Sequence, residues 1–380
     1  MSDIFEFEDE PVQLDKLTSK VEIDDIVAEI SNVFDYEFDG TSEFQPWSKP
    51  KVPEDFGIGL IVGGSGSGKS TLLKQFGSET TVEWNSNKAV ASHFDTSEDA
   101  QDKLAAVGFN SIGDWVKPYH VLSNGQQFRA DLARRLTDNA IIDEFTSVVD
   151  RNVAKSCSVA LRRWVDKSKT RGLVLSTCHF DIIEWLQPDW TFNCDTGELL
   201  VGRCERPDIR LEILPCGEKA WSAFSKHHYL DGTVNKASLF WIAIWNDIPV
   251  GMVAALSMPN PFLKRAWRES RLVVLPEFQG LGLGTKLSEA VAQIFVDRGC
   301  RYFSKTSHPR LGGYRENSSL WKPTSKNKQD RKDYLSDRYD VEGGTFRYHD
   351  RDIMEKHSGR VCFSHEYIGL KRDITSEIFE

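Results

Sequence analysis

No stretch of the 380 residues reaches the length of a membrane span: the apolar runs Leu239–Trp245 and Pro249–Leu256 are strand-sized, and Asn246–Ile248 interrupt them. No membrane partner is expected. The opening Met-Ser-Asp-Ile-Phe-Glu lacks the basic and apolar regions of a secretion leader, so the expected location is cytoplasmic. Paired cysteines are also missing. The seven present are scattered, odd in number and without a C-x-x-C pair, which indicates neither a disulfide framework nor a zinc site. Basic charge is scarce at one end only. Residues 1–58 carry 16 Asp and Glu against 4 Lys and Arg, whereas Arg298–Lys332 carries 10 Lys and Arg against Glu316 and Asp330. The net charge of -10 therefore conceals a basic segment able to meet an acidic partner.

What is present centres on Ile58–Leu73, I-G-L-I-V-G-G-S-G-S-G-K-S-T-L-L. A short β-branched run, a glycine-rich turn and helix-forming residues give the strand, loop and helix order of a phosphate-binding loop. Gly63, Gly64, Ser65, Gly66, Ser67 and Gly68 would let successive N–H groups converge on a phosphate at a helix N-terminus. Lys69 would reach the β and γ phosphates of ATP, Ser70 would place a hydroxyl on Mg²⁺, and Thr71 would add a further contact. A flexible glycine and serine linker is the bland alternative, but linkers are not preceded by a buried-strand pattern.

Upstream, residues 1–54 form an acidic segment with one helix, Val21–Phe34, whose apolar face should pack on the ATPase or on a second copy. Downstream, Thr80–Trp84 and Ala89–Phe94 read as strands. Ser123, Asn124, Gly125 and Gln126 then open a helix with the stripe Phe128, Leu132, Leu136, a second N-terminus that can face an anion. Ile141–Phe145 is an apolar strand ending in carboxylates. Asp143 can hold Mg²⁺, and Glu144 can act as general base or cap a turn. Leu173–Thr177 is a further strand, with His179 at its end.

Taken together, residues 55–205 resemble the ABC-type ATPases: a Walker A loop at Gly63–Ser70, a signature L-S-N-G-Q at Leu122–Gln126, a Walker B pair at Asp143 and Glu144, a D-loop at Ser147–Asp150 and a switch histidine at His179. In that family two ATP molecules are sandwiched between paired subunits, so the resemblance implies an ATP-gated homodimer. Asn124 departs from the usual signature glycine. The Q-loop glutamine is missing, leaving His93 or Asp95 in its place. Only the 53 residues 70–122 separate Lys69 from Ser123, a reduced helical subdomain that disfavours transport and chromosome-scaffold roles.

A turn-rich boundary, 195–208, precedes a different pattern: strand Ile209–Leu214, helix Gly217–Tyr229, strands Leu239–Trp245 and Pro249–Ser257, and strand Ser270–Leu275 running into Gln279-Gly280-Leu281-Gly282-Leu283-Gly284 and a helix from Thr285. Strands Arg301–Thr306, Gly344–His349 and Arg360–Ile368 complete the sheet. Residues 206–380 resemble the GNAT acyltransferases, whose motif A is matched by Val273, Val274, Gln279, Gly280, Gly282 and Gly284. The resemblance implies acetyl-CoA, or another acyl-CoA, bound at this helix start, with Leu281, Leu283 and Thr285 in the same cradle. Glu269 is the candidate base or an exposed carboxylate, and Tyr314 the candidate acid or an aromatic packed on Trp321. His228 with Tyr229 is similar to the His-Tyr pair of Mom-type phage DNA-modification acyltransferases.

From Ser304 the chain mixes cations with Tyr314 and Trp321, fitting phosphates and unpaired bases, or else forming a solvated face. The fold class expected is α/β, a P-loop NTPase followed by a GNAT α+β domain with a mixed central sheet. The function expected is ATP-dependent acyl transfer to an amine, with DNA or RNA as acceptor, in a prokaryotic or phage-infected cell. A protein or small-amine acetyltransferase regulated by ATP, and a nucleic-acid-binding ATPase with a non-catalytic GNAT domain, are the alternatives.

Overall fold

Ile58–Val62 is buried along its whole length because both its faces are covered. Ile58, Leu60 and Val62 join one apolar cluster with Leu104, Phe109 and Ala130, and Ile61 joins another with Leu72, Trp190 and Phe192. A strand buried on both faces belongs at the centre of a parallel sheet. The sheet order is Ile141–Ile142, Leu173–Thr177, Ile58–Val62, Trp190–Asn193, Glu198–Val201, parallel except for the last pairing. Gly59 is required by its neighbour, since a Cβ there would lie 2.0 Å from the Trp190 ring. The chain is seen here as a computed structural model describing residues 12–228, 232–259, 262–330 and 361–369. It divides into two compact units, Met1–Asp208 and Ile209–Glu380.

Several expectations for the first unit are revised. Thr80–Trp84 forms no strand: Thr80 exchanges hydrogen bonds with Ile141 at one point, and Trp84 turns away to stack on Tyr119. Val90–His93 is a 3₁₀ turn. Its start bridges Pro118, which has no N–H with which to extend a ladder. The boundary segment contributes the strand Glu198–Val201. The acidic arm holds a helix, Asp25–Val33, capped by the Asp24 carboxylate, at the tip of a hairpin pairing Leu17–Lys20 with Thr41–Phe44. None of the helix residues is buried, so its apolar face is not packed away within the first unit.

The second unit is a mixed sheet in the order Trp321–Pro323, Val361–Tyr367, Arg301–Thr306, Ala266–Val274, Ile248–Ser257, Leu239–Trp245, Glu212–Cys216. All pairings are antiparallel except that of Ala266–Val274 with Arg301–Thr306. That parallel step is crossed by the helix Leu283–Asp297, which buries Leu283, Leu287, Val291 and Phe295 at four-residue spacing. The parallel ladder runs over three pairs and stops at Arg268 and Phe303, while both strands continue. The expected helix Gly217–Tyr229 is instead two 3₁₀ turns, Glu218–Ala223 and Ser225–His227, with Tyr229 outside the described residues. The expected strand Gly344–His349 also lies outside them.

His365, on the strand Val361–Tyr367, has a fully buried side chain, and its Nε2 lies 2.8 Å from Glu316 Oε1 while Nδ1 is buried without a hydrogen-bond partner among the described residues. That pattern is a neutral ring donating from Nε2, because a proton on Nδ1 would be a buried N–H with no acceptor. Burial first, then the Arg315 and Lys328 cations, lower the pKa against the pull of Glu316. As pH falls, the unfolded chain takes up this proton before the folded one does. The stability conferred is full above about 6.5, the ordinary histidine value, and is lost as pH falls through the lower folded value. Denaturation midpoints compared across this range should therefore drop on acidification, and less so in His365→Gln.

Candidate functional site

Gly63–Gly68 links the central strand to the short helix Lys69–Leu73. Gly66 and Gly68 have φ of +80° and +91°, in the left-handed region that favours glycine. Lys69 is buried and donates from Nζ to the Gly64 carbonyl at 2.6 Å. Ser67 Oγ is buried and has no hydrogen-bond partner among the described residues, while Ser65 and Ser70 are exposed and Thr71 is half-buried. A loop with left-handed glycines, an orphaned hydroxyl and a buried lysine fits a phosphate group. Two neighbours were not foreseen. Phe44, from the N-terminal arm, lies so close that a Cβ on Gly68 would be 2.4 Å from its ring. The Asp195 carboxylate accepts from Gly64 N–H at 2.9 and 3.0 Å. No sequence pattern marks Asp195, which arrives from the loop after Trp190–Asn193.

Asp143 and Glu144 follow the edge strand. Ser176 Oγ and the Glu144 amide both donate to Asp143 Oδ1, orienting the carboxylate. Glu144 is exposed at φ +54°, and its Oε2 accepts from the Ser147 hydroxyl. A hydroxyl from Ser70 and a carboxylate from Asp143 are the hard oxygen donors that Mg²⁺ prefers. Among the described residues no group of three or more His, Cys, Asp or Glu could hold a metal ion by itself. His179 Nδ1 lies 3.2 Å from Thr146 Oγ1, and burial first, then Arg151, lowers its pKa.

The helix Asn124–Arg135 begins at an exposed Ser123, capped reciprocally by Gln126. Gln126 also donates to Asp114 at 2.7 Å, so its side chain is committed to structure and not to the nucleotide contact expected of it. His93 is committed likewise, with Asn85 N–H on Nε2 and the Ala89 carbonyl at Nδ1. A cavity of about 410 Å³ brings Asn124 to the same walls as Asp131, Asp143 and Glu144, while Gly125 has only Val149 within 4 Å of an added Cβ.

In the second unit, Gly280 and Gly282 have φ of +100° and +82°, and Gly282 caps the fifteen-residue helix Leu283–Asp297 without a side-chain hydrogen bond. The helix therefore presents its first amides uncapped, as an anion site requires. Leu281 and Leu283 are buried beneath the turn, Gln279 donates to the Val274 carbonyl at 3.0 Å, and Thr285 Oγ1 donates to the Gly282 carbonyl at 2.8 Å. Val273 is buried and Val274 half-buried at the end of the preceding strand. That strand carries a bulge: Ala254 and Ala255 pair with Arg271 and Glu269, leaving Ser270 as the extra residue.

Glu269 is corrected as the base. It lies one residue past the last parallel pair, and its carboxylate accepts from Arg315 at 2.9 Å, Ser288 at 2.5 Å and Ser304 at 2.9 Å. With the Glu269 and Arg315 side chains 6% and 1% exposed, this is a closed ion pair. Tyr314 does not pack on Trp321. Its hydroxyl donates to Glu289 at 2.7 Å, and burial, then that bond, push its pKa up to about 12. An acid for a departing thiolate would have to break this bond. His228 packs edge-on against Trp221, whose indole donates to the Gly232 carbonyl, while Arg271 donates to the Thr233 carbonyl next along. The basic stretch is only partly a surface. Arg315 and Trp321 are buried, with the guanidinium 4.4 Å over the ring, Arg301 pairs with Glu366 and Lys328 pairs with Glu316. Lys305, Lys322 and Lys326 remain exposed.

Residues 206–312 match the acetyltransferase (GNAT) family. This segment is a GNAT acetyltransferase domain. Among solved structures, the chain is similar to an IAA acetyltransferase from Bacillus cereus, with 15% identity, TM-score 0.29, and coverage of 42% of this chain and 99% of that one. A Bacillus subtilis acetyltransferase in complex with CoA shares 13% identity at TM-score 0.28, covering 42% and 98%. The ATP-binding cassette MJ0796, in a dimeric post-hydrolysis state bound to ADP and Pi, shares 14% identity at TM-score 0.32, covering 50% and 99%. Comparison with curated proteins finds no match. No helix among the described residues is long and apolar enough to cross a membrane. The motif A turn and Glu269 fall within the matched segment, which ends at Gly312, before Tyr314 and before Arg315, the other member of the ion pair.

Proposed function

We propose that the GNAT domain transfers an acyl group from acetyl-CoA, or another acyl-CoA, to an amine, and that the first unit binds and hydrolyses ATP with Mg²⁺. The observation that carries the reading is the uncapped helix start at Gly282, behind a strand whose parallel pairing ends after three residues. Residues Gly280–Thr285 would hold the pyrophosphate, and the acyl-CoA supplies an activated thioester. The bulge leaves Ser270 out of the ladder, offering its amide to the thioester carbonyl. With Glu269 held by Arg315, His228 receives the proton of the attacking amine as the C–N bond forms and the thioester C–S bond breaks, and CoA leaves as a thiolate that takes its proton from solvent. The turn that carries His228 is tied to the strand through Trp221, Gly232, Thr233 and Arg271.

In the first unit, Lys69 and the loop amides would hold the phosphates, Ser70 and Asp143 would hold Mg²⁺, and Glu144 would orient the attacking water with His179 nearby. The exposed start of the signature helix, Ser123 and Asn124, supports closure of a homodimer on ATP. Nucleic acid is the proposed acceptor class, supported by exposed Lys305, Lys322 and Lys326 around the helix that bears Tyr314. Because Arg315 is a core cation, Lys305, Lys322 and Lys326 are the positions to reverse in a binding assay.

The test is calorimetric titration with acetyl-CoA, wild type against Gly282→Glu, Gly284→Glu, together with mass spectrometry of nucleosides from cells expressing each. The wild type should bind and leave an acylated base, and the variant should do neither. Binding by both would refute the cradle. Binding without a modified base would refute the acceptor and favour a protein or small amine. Asp195→Asn is expected to tighten MgATP binding about three- to tenfold by removing a carboxylate from the loop. Weaker binding in that titration would show that Asp195 instead holds the loop in shape.

A further inference from the structure

The helix Asp25–Val33 presents an apolar face that its own unit leaves uncovered. Ile26, Val33 and Phe34 are 67%, 69% and 74% exposed, and Ile23, Ile30 and Tyr36 are exposed beside them. Ile26, Ile30, Val33 and Phe34 fall on one side at spacings of four, three and one, while Val27, Ala28 and Ser31 are half-buried. A contiguous apolar patch of this kind on a soluble unit marks an interaction site. The presentation is also built. Asp24 caps the helix start, Val21 N–H donates to the Gly40 carbonyl across the hairpin neck, and the arm is rooted by Phe44 on Gly68 and by the Trp47 indole donating to the Cys194 carbonyl at 2.8 Å.

Charge decides the occupant. Between Val21 and Asp39 there are seven acidic residues, Glu22, Asp24, Asp25, Glu29, Asp35, Glu37 and Asp39, and no Lys or Arg. A second copy docking through the same helix would set these seven against another seven across a small apolar seam, and like charges so placed oppose association. An anionic membrane is opposed on the same ground. The complementary surface is an apolar groove rimmed by Lys and Arg. We infer that Asp25–Val33 is a docking helix for a protein partner that offers such a groove, a role separate from the ATP and acyl-CoA sites.

The test uses the full-length chain and two synthetic helical peptides with the same leucine face, one flanked by lysine and the other by glutamate. The lysine-flanked peptide is expected to bind at least roughly tenfold more tightly than the other. That binding should weaken as salt is raised and be lost in Ile26→Ser, Val33→Ser, a variant that keeps every charge and alters only exposed positions. Equal binding of both peptides, binding of neither, or binding that survives in the variant would overturn the inference. Light scattering of the wild type and this variant over a wide concentration range should give equal masses, and a smaller mass for the variant would make a second copy the occupant. Sedimentation with vesicles of anionic lipid should leave the protein in solution, and cosedimentation abolished by the variant would make a membrane the occupant.

Discussion

Arg315→Met is expected to destabilise the acetyltransferase unit by about 3–5 kcal/mol, the usual cost of leaving one member of a buried ion pair without its counter-charge. Arg315 is 1% exposed and spans three elements: it donates to Glu269 and to Ser288 at 2.9 Å each, and to Ser304. Removing it strands the Glu269 carboxylate in a site closed to water, with two hydroxyls as its remaining donors. Hydrogen exchange of the Arg301–Thr306 amides and denaturant midpoints would report the loss. Glu269→Leu, Arg315→Met together should recover most of it, because an apolar replacement of both charges avoids the unpaired one. If the single variant were as stable as the wild type, the pair would not be the closed one described. Glu269→Gln separates structure from catalysis. A base would lose activity with little loss of stability, whereas here stability should fall first.

Lys69→Ala is expected to lower MgATP hydrolysis at least about a hundredfold, the scale set by removing one preorganised electrostatic contact from a transition state. Its ammonium rests on the Gly64 carbonyl in a loop whose other donors are backbone amides and neutral serine hydroxyls, so no other side chain of the loop can replace its charge. Glu144→Gln is the control, expected to keep nucleotide binding and lose turnover. Steady-state phosphate release, with nucleotide binding followed separately, distinguishes the two. Hydrolysis unaffected by Lys69→Ala would place the ATPase elsewhere or deny it.

The elements that carry these expectations were legible because each rests on local pattern. Ile58–Val62 reads as a buried strand from five consecutive residues, and a helix is expected from Thr285 because it follows the strand and glycine turn, two residues after its observed start at Leu283. Leu239–Trp245 and Arg301–Thr306 were bounded residue for residue. Side-chain fates set by distant partners were not legible. Arg315 counted as one more cation in a basic run, and only the fold brings it to Glu269, 46 residues away. Trp321 read as a stacking platform until Arg315 covered its face. Asp195 and Phe44 reach the glycine loop from opposite sides of the sequence, and neither sits in a pattern that names its target. Ala89–Phe94 has residues suited to a strand but meets a proline at the one bridge it makes among the described residues.

The approach of Gly59 to Trp190 also bears on how the first unit assembles. The strand that carries the glycine loop acquires one neighbour from Leu173–Thr177 and the other from Trp190–Asn193, both more than a hundred positions downstream. A nascent chain leaving the ribosome therefore holds this strand unpaired until nearly the whole unit has emerged, and closure across so long a separation is slow. Translation halted short of Trp190 would leave Ile61 and its neighbours as a sticky edge, a species for chaperones.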